Sequence, residues 1–182
     1  MKNTRIVWLT GLSGSGKTTI ANRISDRLVG MKKTVLVIDG DNVRNSRPNK
    51  LTFRPEDIRE NNRLIALQCR KNIGQYDFII VSLISPFRDA RRYARQLLQP
   101  HFIEVFVKAD LQECIRRDVK GLYGRALAGQ IENFIGISVN TPYEEPSNAE
   151  IVVDTVNQTP DECVTSIIEG LSTGNSGAAE SL

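Results

Sequence analysis

The amino-acid sequence predicts an α/β protein in three layers, α/β/α, built on a five-stranded parallel sheet. Short apolar runs alternate with longer amphipathic ones along nearly the whole chain. The short runs are almost continuously apolar, as strands covered on both faces are, rather than alternating as a half-exposed strand would. Such alternation of strand and helix places helices on both sides of a parallel sheet. A glycine-rich turn ending in lysine and threonine separates the first strand from the first helix.

In chain order, Ile6 to Leu9 is the first strand, and a helix runs from about Thr18 to Val29, closed by Gly30. Thr34 to Ile38 is the second strand, and Asp39 to Arg54 reads as a loop. A long helix begins near Pro55, whose preset φ and missing N–H suit a first helical position, with Glu56 and Asp57 complementing the dipole. Ile58, Leu64, Ile65, Leu67 and Cys69 supply its apolar positions. Phe78 to Leu83 is the third strand, Arg88 to Leu98 a very basic helix, and Ile103 to Val107 the fourth strand. A helix over Asp110 to Arg117 leads into a Gly- and Pro-rich segment, about 118–147, expected to be a mobile lid. Ile151 to Val153 is the fifth strand and Pro160 to Leu171 the last helix. Residues 172–182 are small and polar, a tail expected to be disordered, which leaves 1–171 as a single domain.

Composition narrows the function. With 24 basic and 21 acidic residues among 182, the net charge of +3 is too mild for a nucleic-acid binder and suits small anionic substrates. Cys69, Cys114 and Cys163 are odd in number and lack C-x-x-C spacing, so reduced thiols in the cytoplasm are expected. The first strand begins almost at the N-terminus, and a signal peptide is not expected. No apolar run approaches the ~20 residues of a membrane helix, so no membrane partner is expected.

The turn after the first strand is Gly11-Leu12-Ser13-Gly14-Ser15-Gly16-Lys17-Thr18, which fits G-x-x-x-x-G-K-S/T. Its glycines let backbone N–H groups converge on phosphates, Lys17 adds a charge at the β/γ-phosphates, and the Thr18 hydroxyl suits Mg²⁺. The helix N-terminus behind it adds positive potential. A nucleoside triphosphate is the implied ligand.

Ligands of open parallel sheets lie beyond the carboxyl ends of the strands. After the second strand come Asp39-Gly40-Asp41-Asn42-Val43-Arg44. The two carboxylates can divide the work of holding Mg²⁺ and accepting a hydroxyl proton, and Arg44 can clamp an anion. A plain D-G turn with solvated acids is the bland alternative. After the third strand, Ser85-Pro86-Phe87-Arg88 offers either a substrate contact or a serine helix cap. Arg117 and Lys120, at the mouth of the 118–147 segment, suit a lid that excludes water. His101, the single histidine, receives no role.

These residues resemble the adenylyl-sulfate kinase family from about Ile6 to Cys163. The resemblance rests on G-L-S-G-S-G-K-T-T (from Gly11), D-G-D-N-V-R (from Asp39), I-S-P-F-R (from Ile84), F-I-E-V-F-V (from Phe102) and K-G-L-Y (from Lys120). A-G-Q-I-E-N-F-I-G-I and P-Y-E-E-P complete the set. It implies a P-loop nucleotide-kinase fold like that of nucleoside-monophosphate kinases, with ATP and Mg²⁺ serving phosphorylation of the 3′-hydroxyl of adenosine 5′-phosphosulfate in sulfate assimilation. A homodimer is the implied assembly. By resemblance Gly11 to Thr19 with Arg117 bind ATP, and Thr18 and Asp39 hold the metal. By the same resemblance Lys17, Asp39, Asp41 and Ser85 are expected to be catalytic. Asp41, Arg44, Phe53, Asn61, Ser85, Lys120 and Phe134 bind the acceptor, with Phe53 and Phe134 stacking on its adenine. Ser85 matches a serine often given a phosphoenzyme role, which direct in-line transfer does not need.

The departures cluster on the acceptor side. The family stretch D-R-x-E-N-I-R-R is here Asp57-Ile58-Arg59-Glu60-Asn61-Asn62-Arg63-Leu64, so Ile58 replaces an acceptor-binding arginine. H-G-L-N is rewritten as Asn45-Ser46-Arg47-Pro48-Asn49, where Arg47 is a candidate replacement cation, and F-T-G-I-D is Phe134-Ile135-Gly136-Ile137-Ser138. Two alternatives therefore stay open: a kinase for another 5′-modified nucleotide, such as a cytidine diphosphoramidate in polysaccharide modification, and a nucleotide-binding module without turnover.

Overall fold

The computed structural model describes residues 1–45 and 51–173. The elements are β1 (Arg5–Thr10), α1 (Lys17–Gly30), β2 (Val35–Asp39), α2 (Gly40–Asn45), α3 (Pro55–Asn72), β3 (Phe78–Ser82), α4 (Arg88–Leu98), β4 (Phe102–Lys108), α5 (Leu111–Arg117), α6 (Leu122–Leu127), β5 (Ile151–Asp154) and α7 (Pro160–Thr173). The five strands form one parallel sheet in the order β2-β3-β1-β4-β5. The predicted architecture and all five strands are present.

The two-residue period of a strand divides β1 between two cores. Val7 and Leu9 pack with Ile20, Ile24 and Leu28 of α1 and with Val164, Ile167 and Leu171 of α7. Ile6 and Trp8 face the other way, toward Ile65 and Cys69 of α3 and Ala94 and Leu98 of α4. Both layers are thus anchored on the central strand, and burying each such aliphatic side chain contributes roughly 1.5–3 kcal/mol. All three cysteines are free and buried, as expected of reduced thiols.

The register sets the functional edge. Asp39 is paired with Ser82 and Ser82 with Leu9, which brings the ends of β2, β3 and β1 side by side. The loop after β1 rises from that edge.

Two expectations are corrected. The stretch from Asp39 to Arg54 is not all loop: β2 runs one residue further, to Asp39, and α2 follows at once. The Asp39 carboxylate Oδ1 accepts from the N–H groups of Asp41 (2.9 Å) and Asn42 (3.1 Å), which is N-cap chemistry. Gly40 makes the tight entry possible, because a Cβ there would stand 2.5 Å from the Leu83 Cβ.

The 118–147 segment, expected to be a mobile lid, has regular structure of its own. It holds α6, and Tyr123, Ala126 and Phe134 bury themselves against Leu12 and Cys114 in a third apolar cluster. Aromatic burial outweighs the turn-forming composition. Finally, α7 extends through Thr173, so Ser172 and Thr173, expected in a tail, are helical; residues 174–182 lie outside the described residues, as does Arg47.

Candidate active site

The loop from Gly11 to Thr18 wraps the carboxyl end of β1. Gly11 has a φ of 155°, and a Cβ there would lie 2.4 Å from the Val107 carbonyl oxygen, so only glycine lets the chain leave β1 beside β4. Gly16, left-handed at φ 95°, precedes the first residue of α1, Lys17. Lys17 is buried, and its Nζ donates to the Leu12 carbonyl at 2.6 Å. Burial pulls its ammonium from its ordinary 10.5 down to about 8, against the attraction of Asp41 and Asp39.

A cavity opens beyond this loop. Its walls include Ser13, Gly14, Gly16, Lys17, Thr18 and Thr19 on one part, and Asp39, Asp41, Arg44, Asn61, Ser85 and Lys120 on the rest. The structure therefore unites most residues expected for donor, metal and acceptor. Gly11, Leu12 and Ser15 belong to the loop but not to that wall.

Asp41 sits between two cations. Arg44 Nη2 donates to its Oδ1 at 2.6 Å and Lys120 Nζ to its Oδ2 at 2.7 Å. Burial pushes the Asp41 pKa up, but the Lys120 hydrogen bond and the charges of Arg44, Lys120 and Lys17 outweigh it, so the net direction is down. The carboxylate is held ionised.

Arg117 lies beside the loop rather than in the cavity wall. Its Nη2 donates to the Thr155 carbonyl at 2.7 Å and its Nη1 to Thr155 Oγ1 at 3.1 Å, while Thr155 Oγ1 donates to the Ser15 carbonyl at 3.0 Å. The Tyr123 hydroxyl donates to the Ser13 carbonyl at 3.0 Å. Sequence reasoning missed Thr155, although it follows β5 as Asp39 follows β2's apolar run. It also missed Ser82, Asp57, Asn62 and Ile135 in the cavity wall.

Ser85 is not a helix cap, since Phe87 occupies that position on α4. Its buried hydroxyl accepts from Trp8 Nε1 at 3.1 Å and donates to Thr10 Oγ1 at 3.1 Å, and its backbone is left-handed at φ 38°. Thr10 in turn meets the Tyr143 hydroxyl at 2.9 Å. Arg91 ties the same corner together, donating to the carbonyls of Ser85 and Glu144 at 2.6 Å each. The Arg88 N–H donates to Glu144 at 2.7 Å. The I-S-P-F-R and P-Y-E-E-P stretches are thus two halves of one support under the cavity.

Phe53 and Phe134 do not stand as two open parallel faces. Their centroids are 6.0 Å apart at 67°, an edge contact, and the Arg44 guanidinium lies 4.5 Å from the Phe53 centroid. A base sandwiched between them needs near-parallel rings about 7 Å apart, two van der Waals layers. Ile58 packs with Phe87, Ala90 and Ile135 while also lining the cavity.

No helix among the described residues is long and apolar enough to cross a membrane. The family model for adenylylsulphate kinase matches residues 3–154. The adenylyl-sulfate kinase of Clostridium kluyveri is 43% identical over 171 residues, 94% of this chain and 85% of that protein. The bifunctional enzyme NodQ of Rhizobium meliloti is 46% identical over 167 residues, 91% of this chain but 26% of that protein, so the chain spans about a quarter of it. Among solved structures, the Mycobacterium tuberculosis APS kinase CysC in complex with AMPPNP and APS superposes with a TM-score of 0.88 at 34% identity, covering 94% of this chain and 99% of that one. With part of the phosphate-binding loop, both aspartates, Arg44, Asn61, Ser85 and Lys120 on one cavity, and with these matches, the chain belongs to the adenylyl-sulfate kinase family.

Proposed function

We propose that this protein transfers the γ-phosphoryl group of ATP to the 3′-hydroxyl of adenylyl sulfate. The observation that carries the reading is one cavity lined by both Lys17 and Thr18 of the phosphate loop and by Asp41, Asn61 and Lys120 of the acceptor side. Asp41 accepts the 3′-hydroxyl proton as the oxygen forms its bond to the γ-phosphorus, and the bond to the β–γ bridging oxygen breaks to release ADP. Lys17 stabilises charge on the transferring group, and the loop N–H groups hold the β-phosphate. Arg44 and Lys120 keep Asp41 ionised and orient the acceptor. Closure of the 118–147 segment would exclude water from the transfer.

Mg²⁺ fits the residues present. Thr18 and Asp39 line the cavity with a hydroxyl and a carboxylate, hard oxygen donors of the kind that hold this ion together with phosphates and water. Asp39 Oδ1 is engaged by two amides, which leaves Oδ2 for the ion or its water shell. When bound, Mg²⁺ neutralises phosphate charge.

The test is ADP release measured with and without adenylyl sulfate. Acceptor-dependent ADP formation is expected, and turnover that ignores adenylyl sulfate but responds to a cytidine diphosphoramidate would favour the other acceptor. A cytoplasmic homodimer is the setting we propose, to be checked by light scattering on the purified chain.

A further inference from the structure

Four consecutive carbonyls of the phosphate loop are each met by a donor side chain. Lys17 Nζ reaches the Leu12 oxygen at 2.6 Å and the Tyr123 hydroxyl the Ser13 oxygen at 3.0 Å. Arg117 Nη1 reaches the Gly14 oxygen at 3.4 Å and Thr155 Oγ1 the Ser15 oxygen at 3.0 Å. Thr155 Oγ1 also lies 3.3 Å from the Lys108 oxygen, so the loop carbonyl is the nearer acceptor for its one proton. Lys17 lines the cavity, whereas Tyr123, Arg117 and Thr155 do not. These three come from α6, from the last residue of α5 and from the turn after β5.

A peptide unit is planar and trans, so its C=O and the N–H of the next residue point in opposite directions. Holding the Ser13 oxygen on a group outside the cavity wall therefore turns the Gly14 N–H the other way. Holding the Ser15 oxygen does the same for Gly16. Gly14 and Gly16 both line the cavity. Ser15, between them, does not, and its own N–H donates to the Leu12 carbonyl at 3.2 Å. Gly14 and Gly16 have φ of 77° and 95°, and glycine leaves the adjoining peptides free to rotate. Such a loop presents its N–H groups steadily only when its carbonyls are held.

Tyr123 is itself fixed firmly. It is 1% exposed, and its ring meets that of Phe134 edge-on, with centroids 5.0 Å apart at 83°. The Asp118 carboxylate accepts from the N–H groups of Tyr123 and Gly124, at 2.9 Å each, and so sets the start of α6. A buried tyrosine hydroxyl needs a partner in any fold. Here the partner is a loop carbonyl, and Thr155 repeats the arrangement two residues along from a different part of the chain. That repetition goes beyond satisfying one hydroxyl.

We propose that Tyr123 and Thr155 are positioning residues for the donor: their hydroxyls hold the Ser13 and Ser15 carbonyls outside the loop and so aim the Gly14 and Gly16 N–H groups at the phosphates of ATP. This rests on the reading of the loop as the ATP site given above. Neither hydroxyl touches ATP. Each acts through the backbone, by sparing the loop an ordering step when the nucleotide binds.

Tyr123→Phe and Thr155→Val each remove a hydroxyl at nearly constant volume, and Thr155→Ser keeps it. ADP affinity is measured by calorimetry, KM values by transfer assays, and Tm on each unliganded protein. Tyr123→Phe and Thr155→Val should each weaken ADP binding and raise the KM for ATP about fivefold or more. Thr155→Ser should stay within about twofold of wild type, and the KM for adenylyl sulfate should stay within about twofold in all three. A lower Tm in Tyr123→Phe or Thr155→Val, with ADP bound as tightly as by wild type, would make the hydroxyl structural and overturn the proposal. So would a loss in Thr155→Ser equal to that in Thr155→Val, or an equal loss toward adenylyl sulfate. If Tyr123→Phe does not fold, the two Thr155 variants decide.

ADP binding needs no acceptor. If wild type transfers nothing to adenylyl sulfate, the proposed function fails and the ADP titrations still decide this inference. A wild type that binds no ADP overturns it.

Discussion

Lys120 Nζ lies 2.7 Å from Asp41 Oδ2, so a cation at the start of the 118–147 segment touches the carboxylate assigned to take the acceptor proton. With Arg44 on the other oxygen, the contact joins that segment to α2 across the cavity. Lys120 and Arg44 hold the Asp41 pKa down. Removing Lys120 therefore raises it, and a base that must be ionised is lost at a higher pH. In Lys120→Met the acid limb of kcat/KM for adenylyl sulfate should move to higher pH, with a raised KM for the acceptor. A pH profile of both proteins measures this, and an unmoved limb would remove Lys120 from control of Asp41.

Asp41→Asn removes the base while conserving shape. It should lower kcat by roughly a hundredfold or more and leave the KM for ATP nearly unchanged. A large change in the Mg²⁺ or ATP dependence with little change in kcat would exchange the roles of Asp39 and Asp41.

Lys17 links ATP binding to pH. Its folded pKa, about 8, lies below its ordinary 10.5, so the unfolded chain binds more protons between those values and stability rises with pH there. Bound phosphates reverse the shift by favouring the ammonium. ATP binding at pH 9 should then take up a proton, read by calorimetry in buffers of different ionisation enthalpy. Lys17→Ala should abolish that uptake and lower kcat at least about a hundredfold, with circular dichroism unchanged.

Ser85→Ala should leave the buried Trp8 N–H without its partner, costing about 1–3 kcal/mol. The Tm should fall by several degrees while transfer continues, since the hydroxyl is committed to Trp8 and Thr10. Labelling with γ-phosphate-labelled ATP checks the alternative: a stable phosphoserine in wild type, lost together with activity in the alanine variant, would restore a covalent role.

Ile58→Arg places a cation where the chain has none. Ile58 lines the cavity, so the longer side chain can reach an anionic acceptor, and the KM for adenylyl sulfate should fall on the order of tenfold with the KM for ATP unchanged. The Tm should fall as well, because the apolar contacts with Phe87, Ala90 and Ile135 are reduced. A weaker acceptor interaction would mean a pocket shaped for a different nucleotide.

The features legible in the sequence were the local ones. The β1–loop–α1 unit depends on a contiguous stretch whose glycines and lysine act through backbone geometry, and it stands where it was read. The strands were legible because parallel strands buried on both faces are continuously apolar. The α2 turn was hidden by the D-G pair, which reads as a turn until Asp39 is seen to cap it and Gly40 to pack on Leu83. In the 118–147 segment, glycine-rich composition masked the apolar contacts of Tyr123 and Phe134 with Leu12 and Cys114.

The sequence by itself determined the sheet, the phosphate loop and the two aspartates, because each is encoded by neighbours in the chain. Only the tertiary structure decided what the remaining polar groups do. Ser85 meets Trp8 from 77 positions away, and Tyr143 meets Thr10 from 133. Lys120 meets Asp41 from 79 positions away. A side chain's hydrogen-bonding state depends on which distant groups reach it, and local pattern does not encode that distance.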